Sequence, residues 1–295
     1  MIVFDNVTKY YKSNVGLEKV SVRINKGDFV FLVGPSGAGK STFIKLLAGI
    51  FLQDKGEVRV YGVSNRSKKI HSLVKFVLES GQGLYSYLTA MENLQYFLGL
   101  NGIALSHIKA EVDILCDQLA FTPYKDTLVS ELSQGNRQKL TLILALVQKP
   151  KVLCLDEPTN GLDLLAKKQL MTLLQDYARY HQASIFITSH DASFIEKVST
   201  RVVVIQEGRL YREGTFEEIF GNVHQHEVYH LLLAKSAESV LRQSFPELDY
   251  KVLDDGISVE TRNPDLYRLL LEETEVLQFT RESASLEDLL YEVLK

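Results

Sequence analysis

The sequence is poor in the residues on which disulfide-linked, collagen-like and disordered proteins depend. Only 2 cysteines and 6 prolines occur among 295 residues, together with 18 glycines. Hydrophobic residues make up 45% of the chain and charged residues 24%, which is the composition of an ordinary globular protein. Cys116 and Cys154 both lie in apolar segments, so we expect two reduced core thiols of a cytosolic protein.

The sequence also lacks a long apolar run and an excess of charge of one sign. The longest uncharged apolar stretch, around Leu140 to Val147, is far shorter than the roughly 18 residues that a membrane-spanning helix requires. No signal peptide is visible. The formal charge of −4 provides no basic surface for nucleic acid. We therefore expect a soluble, cytoplasmic protein of about two domains with no nucleic-acid partner.

Strand and helix patterns alternate through residues 1–220, which we predict to be one domain. Apolar alternation in the first 24 residues predicts the strands of an N-terminal antiparallel β subdomain, and the run Phe29 to Val33 predicts a buried strand. A helical insert at about 89–147 interrupts the strands, which return near 152–155, 185–188 and 201–205 with helices between them. This alternation predicts an α/β fold with a mostly parallel sheet and right-handed crossovers.

The pattern changes after residue 220, and we predict a small accessory α/β domain over residues 221–295. Its expected elements are a helix at 227–243, a hairpin around Asp254-Asp255-Gly256, a helix from Asn263-Pro264, a strand near 275–280 and a last helix capped by Ser285. Asp-Gly favours the positive φ angles of a tight hairpin turn.

A phosphate-binding motif joins the buried strand to the next helix. Gly34-Pro35-Ser36-Gly37-Ala38-Gly39-Lys40-Ser41 matches the pattern G-x-x-x-x-G-K-[ST], and Thr42 follows it. Small residues let successive backbone N–H groups point into one concavity at a helix N-terminus, where the helix dipole favours phosphate. In this motif Lys40 reaches the β- and γ-phosphates and Ser41 holds Mg²⁺.

Two carboxylates follow a later apolar strand. Asp156 is the candidate Mg²⁺ partner and Glu157 the candidate general base, because parallel sheets place ligands at the carboxyl ends of their strands. Taken alone, such a pair is more often a strand ending in a solvated turn. Because a phosphate loop occurs upstream in the same chain, the functional interpretation of the two carboxylates is favoured here.

Three further segments give the chain a family resemblance over about residues 2–220. Leu132-Ser133-Gln134-Gly135-Asn136-Arg137-Gln138-Lys139 resembles the signature motif of ATP-binding cassette (ABC) ATPases. The segment from Asp156 to Asp163 ends like the family's D-loop, and Thr188-Ser189-His190-Asp191 looks like its switch histidine. The chain is thus similar to ATP-binding subunits of ABC transporters, among them bacterial multidrug and antibiotic exporters with a separate permease, and a P-loop NTPase fold is implied.

The resemblance implies a site shared between two subunits. Ser133 and Gly135 of one copy face the γ-phosphate that Lys40 of the other copy holds, and Asp163 contacts the partner. His190 then hydrogen-bonds the γ-phosphate and keeps the attacking water in register. Together with Lys40 and Glu157, it completes the expected catalytic set.

The adenine ring is expected to stack on an aromatic residue. The resemblance assigns this role to Tyr11, although Tyr10 or Phe4 could also supply the ring, and an aromatic residue on a strand is more often part of a core.

Two departures from the family pattern affect the predicted site. Glu79 stands where the family has a glutamine that contacts Mg²⁺, and Gln82 comes three positions too late. A carboxylate still binds Mg²⁺, so we include Glu79 with Ser41 and Asp156 as an expected metal ligand, with added negative charge near the γ-phosphate. The signature has Gln134 and Asn136 where Gly and Gln are common.

Two other features have weaker interpretations. The aromatic segment from Leu84 to Leu94 falls where the family receives a cytoplasmic helix of the membrane subunit, but its rings could equally be core of the helical insert. His224, His226 and His230 could bind a metal, with the last two one helical turn apart, although an exposed polar helix start is favoured.

The family resemblance therefore predicts an ATP-hydrolysing subunit that uses ATP and Mg²⁺. We expect it to close as a pair of nucleotide-binding domains and to drive an integral-membrane permease from the cytoplasmic face of the membrane. The alternative is an ATP-dependent regulatory or clamp protein of the same family that acts on a partner with no role in transport.

Overall fold

The computed structural model describes residues 1–12, 14–77, 83–189, 192–221, 228–246, 248–261, 263–282 and 286–295. The chain folds into two compact units, Met1–Phe216 and Glu217–Lys295. Within the described ranges, no helix combines the length and the apolar character that crossing a membrane requires.

The described residues of the first unit form ten strands, with helices distributed among them. The strands are β1 (Ile2–Tyr11), β2 (Asn14–Ile24), β3 (Phe29–Val33), β4 (Lys55–Val60), β5 (Val63–Ser64), β6 (Val74–Val77), β7 (Val152–Asp156), β8 (Ser184–Thr188), β9 (Arg201–Gln206) and β10 (Arg209–Gly214). The helices are α1 (Lys40–Leu47), α2 (Ile70–Leu73), α3 (Ala90–Leu100), α4 (Lys109–Gln118), α5 (Gln134–Leu146), α6 (Leu164–His181) and α7 (Ala192–Val198), with α8 (Phe216–Phe220) at the division between the units.

Two sheets organise the first unit. An antiparallel sheet has the order β2-β1-β4-β5, and a six-stranded sheet has the order β10-β9-β3-β8-β7-β6. In the larger sheet β9, β3, β8, β7 and β6 are parallel, and β10 pairs antiparallel with β9. The predicted fold class is confirmed, because the strands alternate with helices and all five residues of β3 are buried, as expected of a central strand.

A shared hydrophobic core joins the two sheets to α1. Phe4 of β1 stacks on Phe43 of α1 with ring centroids 4.1 Å apart, and Phe43 in turn contacts Phe186 of β8. Because α1 begins at the phosphate loop, this packing fixes the direction in which the loop leaves β3.

The region at about 89–147 is helical, with local signals that set where its helices begin. Thr89 and Glu92 form a reciprocal capping box at α3: Thr89 Oγ1 accepts from the Glu92 amide at 3.2 Å, and the Glu92 carboxylate accepts from the Thr89 amide at 2.8 Å. Cys116 of α4 and Cys154 of β7 are buried free thiols, and burial raises the pKa of Cys116 to about 11.

The second unit is a four-stranded antiparallel sheet with helices. Its strands are β11 (Val228–Leu233), β12 (Tyr250–Val252), β13 (Ile257–Thr261) and β14 (Val276–Glu282), in the order β12-β13-β11-β14. Its helices are α9 (Glu238–Ser244), α10 (Pro264–Glu273) and α11 (Leu286–Leu294). A separate core includes Tyr229, Leu231, Ile257 and Leu270.

The predicted helix at 227–243 is wrong over its first half. Residues 228–233 form β11 because Tyr229, Leu231 and Leu233 alternate as buried positions, which is the period of a strand. His230 therefore lies on a strand and not on the predicted helix. His224 and His226 are outside the described residues, among which no group of three or more potential metal ligands occurs.

The predicted hairpin is present, but its turn differs from the expected one. Val252 pairs with Ile257, so the loop has four residues, and the Leu253 amide donates to the Gly256 carbonyl at 2.7 Å. Neither Asp255 nor Gly256 has a positive φ. Glycine is required at position 256 for space, because a Cβ there would lie 2.5 Å from the carbonyl oxygen of Leu233.

We expect Gly256→Ala to lower the free energy of unfolding by about 1–3 kcal/mol, since the added methyl group has to displace β11. Chemical denaturation of the full chain measures this change. Gly99→Ala is the matched control: nothing lies within 4 Å of its added Cβ, and alanine favours the helix, so the free energy of unfolding should stay level or rise. Equal destabilisation by both changes would contradict the close-contact explanation.

Candidate functional site

The predicted phosphate loop makes close backbone contacts that exclude side chains. A Cβ on Gly34 would overlap the carbonyl oxygen of Ile205, and a Cβ on Gly39 would lie 2.5 Å from the carbonyl oxygen of Gly16. Gly39 also has a φ of 112°, in the region that L side chains rarely adopt. Glycine is therefore required at both positions for the path of the loop.

Hydrogen bonds tie the loop to the turn between β9 and β10. The Gly208 amide donates to the Ala38 carbonyl at 2.8 Å, and the Glu18 amide donates to the Gly208 carbonyl at 2.7 Å. The Ala38 amide donates to the Pro35 carbonyl at 3.1 Å. Within the described ranges no side chain caps the N-terminus of α1, and the positive end of its helix dipole, at the loop, favours an anion.

Lys40 lies against the phosphate loop, close enough to the two predicted carboxylates for their charges to act on it. Its ammonium group donates to the carbonyl oxygens of Gly34 at 2.5 Å and Pro35 at 3.0 Å. Burial lowers the pKa of Lys40, and the negative charges of Glu157 and Asp156 oppose that shift. The structure therefore brings the lysine and both carboxylates together, although they are far apart in the chain.

Tyr11 lies beside the start of α1. The Thr42 hydroxyl donates to the Tyr11 hydroxyl at 3.4 Å, and the Tyr11 ring meets Phe51 edge-on with centroids 5.9 Å apart. Phe4 is only 1% exposed, so it does not offer a ring to a ligand. Tyr10 is 45% exposed and remains an alternative to Tyr11 as the adenine-stacking residue.

The two carboxylates follow the end of β7 beside the end of β8. Asp156 is the register partner of Thr188, whose hydroxyl donates to Asp156 Oδ1 at 2.5 Å. Glu157 has a φ of 47°, which is uncommon for a residue with a side chain, and its amide donates to the Thr188 carbonyl at 3.0 Å. Strained backbone of this kind is concentrated at functional sites.

The signature segment and the D-loop pack against each other within one chain. Ser133 is the exposed N-cap of α5, and its hydroxyl accepts from the Asn136 amide at 3.2 Å. Gly135 is buried, and a Cβ there would lie 2.8 Å from the carbonyl oxygen of Gly161. The loss of Gly135 would therefore disturb the D-loop of the same chain.

Asp163 has a structural role that sequence reasoning missed. It is the N-cap of α6, and its Oδ1 accepts from the Ala166 amide at 2.8 Å. An apolar stretch preceded by Asp, the usual signal of an N-cap, was sufficient to find this role.

Thr188 was also missed as a contact of the carboxylates, because its position depends on the register between two strands that are distant in sequence.

Two predicted site residues, Glu79 and His190, lie outside the described residues. Their roles stay predictions.

Known proteins share both the motifs and the fold of this chain. A family profile described as "ABC transporter" matches residues 17–160. The chain is 31% identical over 290 residues to the bacitracin transport ATP-binding protein BcrA of Bacillus licheniformis, covering 96% of this chain and 94% of that protein. The chain belongs to the ABC transporter ATP-binding family.

Import proteins and solved cassettes also resemble this ABC protein. It is 30% identical over 274 residues to the sulfate/thiosulfate import ATP-binding protein CysA of Gloeobacter violaceus, covering 90% of this chain and 79% of that one. A dimeric cassette solved in a post-hydrolysis state with ADP and Pi has a TM-score of 0.66 and 26% identity, over 73% of this chain and 98% of that one. This ABC protein is an ATPase.

The capping role of Asp163 can be separated from any contact with a second subunit. We expect Asp163→Ala to lower the free energy of unfolding by about 1 kcal/mol, because the Ala166 amide loses its acceptor. Asp163→Asn keeps an acceptor oxygen at the same place and should leave stability nearly unchanged. Denaturation of the nucleotide-free chain measures both. Equal stability of all three proteins would show that the cap contributes nothing.

Proposed function

We propose that this ABC ATPase is the ATP-hydrolysing subunit of an exporter and works with a separate integral-membrane permease. The similarity to BcrA, whose name states bacitracin transport, supports this direction because it extends over 94% of that protein. The similarities to the import proteins CysA cover 74–90% of this chain, whereas the similarity to BcrA covers 96%.

The observation that carries the chemistry is the proximity of Lys40 to both carboxylates beside the phosphate loop. In this proposal the amides of residues 34–41 and the Lys40 ammonium group bind the phosphates of ATP. Glu157 accepts a proton from the attacking water as general base. His190 orients that water, and Tyr11 stacks on the adenine ring.

The donor set beside Lys40 fits Mg²⁺. The Ser41 hydroxyl and the Asp156 carboxylate are oxygen ligands, which Mg²⁺ prefers. Among the described residues, the Asp156 carboxylate accepts a hydrogen bond at Oδ1 alone. Bound Mg²⁺ would neutralise charge that develops on the phosphates. Glu79 is a further proposed ligand.

A second copy of the chain would complete the site. Ser133 is exposed at the N-terminus of α5, a position that suits the γ-phosphate held by another copy. Gly135 and Asp163 lie in the two segments that pack together behind it. The post-hydrolysis cassette with ADP and Pi was solved as a dimer, which supports this assembly.

The segment before and within α3 suits a permease contact. Asn93 holds the chain at Tyr85, accepting from its amide at 2.8 Å and donating to its carbonyl at 3.0 Å. Tyr87 is 70% exposed and Tyr96 is 42% exposed, whereas Leu94 and Leu98 are buried. A cavity of about 180 Å³ beside this segment is lined by Phe76, Leu84, Phe97 and other apolar residues and also by polar side chains.

These exposed rings favour docking of a short helix of the permease. The proposal therefore locates the ATPase at the cytoplasmic face of the membrane, as a peripheral subunit.

We expect Glu157→Gln to accumulate an ATP-bound dimer and to reduce phosphate release by at least about 100-fold, because an amide does not accept the proton from water. Sedimentation with and without ATP measures the dimer, and a phosphate assay measures turnover. Glu272→Gln, an exposed position on α10, is the matched control and should behave like the unchanged protein. Undiminished phosphate release by Glu157→Gln would remove Glu157 from the role of base.

A further inference from the structure

Thr188 contacts both residues of the carboxylate pair at once. Its hydroxyl donates to Asp156 Oδ1 at 2.5 Å. Its carbonyl oxygen accepts from the Glu157 amide at 3.0 Å, and its Oγ1 lies 3.4 Å from the same amide. A single residue at the end of β8 therefore holds the side chain of Asp156 and the strained backbone of Glu157.

The register of the sheet produces these contacts. Asp156 and Thr188 are direct partners in the parallel pair of β7 and β8, so their side chains project from the same face at the same edge. Ile185, Phe186 and Ile187, which precede Thr188 in β8, are buried and apolar. Thr188 is only 6% exposed, and burying its hydroxyl group is unfavourable unless the hydroxyl forms a hydrogen bond.

The bond that satisfies this hydroxyl has a directional effect on Asp156. A hydroxyl donating to a carboxylate forms a short, strong hydrogen bond and restricts the rotation of the carboxylate. With Oδ1 bonded to Thr188, Oδ2 is the oxygen left for another ligand, since the described residues provide no bond to it.

We propose that Thr188 is a positioning residue that holds Asp156 by Oδ1 and so leaves Oδ2 as the oxygen available to Mg²⁺. This inference rests on the proposed function, because Asp156 has to serve as a Mg²⁺ ligand. Thr188 itself contacts neither ATP nor metal. It acts through Asp156, and through the Glu157 amide it keeps the candidate base in its unusual backbone conformation.

The test compares ATP binding with and without Mg²⁺ in the full chain carrying Glu157→Gln, so that hydrolysis does not interfere. Calorimetry gives the Kd for ATP in Mg²⁺ and in excess chelator, and the ratio of the two measures how much Mg²⁺ strengthens binding. We expect Thr188→Val to reduce this ratio about tenfold, because a bond to a charged acceptor is lost, with the Kd in chelator within about twofold.

Two variants separate positioning from packing. Thr188→Ser keeps the hydroxyl and should keep the ratio within about twofold of the parent. Thr200→Val removes a comparable threonine contact at the opposite end of the sheet, where Thr200 Oγ1 accepts from the Phe29 amide at 2.8 Å, and it should leave the ratio unchanged.

Three results would overturn the inference. The first is an equal ratio in the parent and in Thr188→Val, including the case in which Mg²⁺ strengthens ATP binding in neither protein. The second is an equal loss in Thr188→Ser, and the third is a Kd in chelator that rises as much as the Kd in Mg²⁺. Failure of the proposed function is measured separately, with the variant Lys40→Ala. If that variant binds ATP as tightly as the parent, the proposed function is wrong.

Discussion

The common edge at which the parallel strands end is the constraint on which the rest of the site depends. Lys40 follows β3, Asp156 and Glu157 follow β7, and Thr188 ends β8, while β3, β8 and β7 are neighbours in one sheet. Burial of these apolar strands provides the free energy that holds the register. The charged groups then meet at the edge because their strands are aligned, and the opposing effects of burial and carboxylates on the Lys40 pKa are a direct consequence.

The segment from Glu157 to Asp163 links the two halves of the site within one chain. It begins at the strained Glu157, whose carbonyl accepts from the Asn160 amide at 3.2 Å. It then passes Gly161, which packs against Gly135 of the signature segment, and ends at Asp163, the cap of α6. A displacement of the base, the signature helix or α6 therefore meets resistance from the other two.

Local sequence signals were enough to predict the phosphate loop, the carboxylate pair and the α/β fold, because each depends on a short pattern beside a buried strand. The predicted helix at 227–243 is wrong over its first half because Tyr229, Leu231 and Leu233 alternate with the period of a strand. The turn predicted from Asp254-Asp255-Gly256 is present. Glycine is needed at position 256 because a side chain would collide with the Leu233 carbonyl oxygen, and not because of its φ angle. The Thr188 and Gly135 contacts join distant segments, so only the packed chain reveals them.

The central claim is that ATP lies between the phosphate loop of one copy and Ser133 of another. Ser36 and Ser133 are both exposed, and the two native cysteines are buried, so Ser36→Cys and Ser133→Cys can be prepared as two separate proteins. Both would carry Glu157→Gln, and they would be mixed with a short thiol cross-linker. The account predicts a covalent dimer of the two proteins that forms with Mg²⁺ and ATP and not without nucleotide. No covalent dimer, or the same yield without ATP, would contradict it.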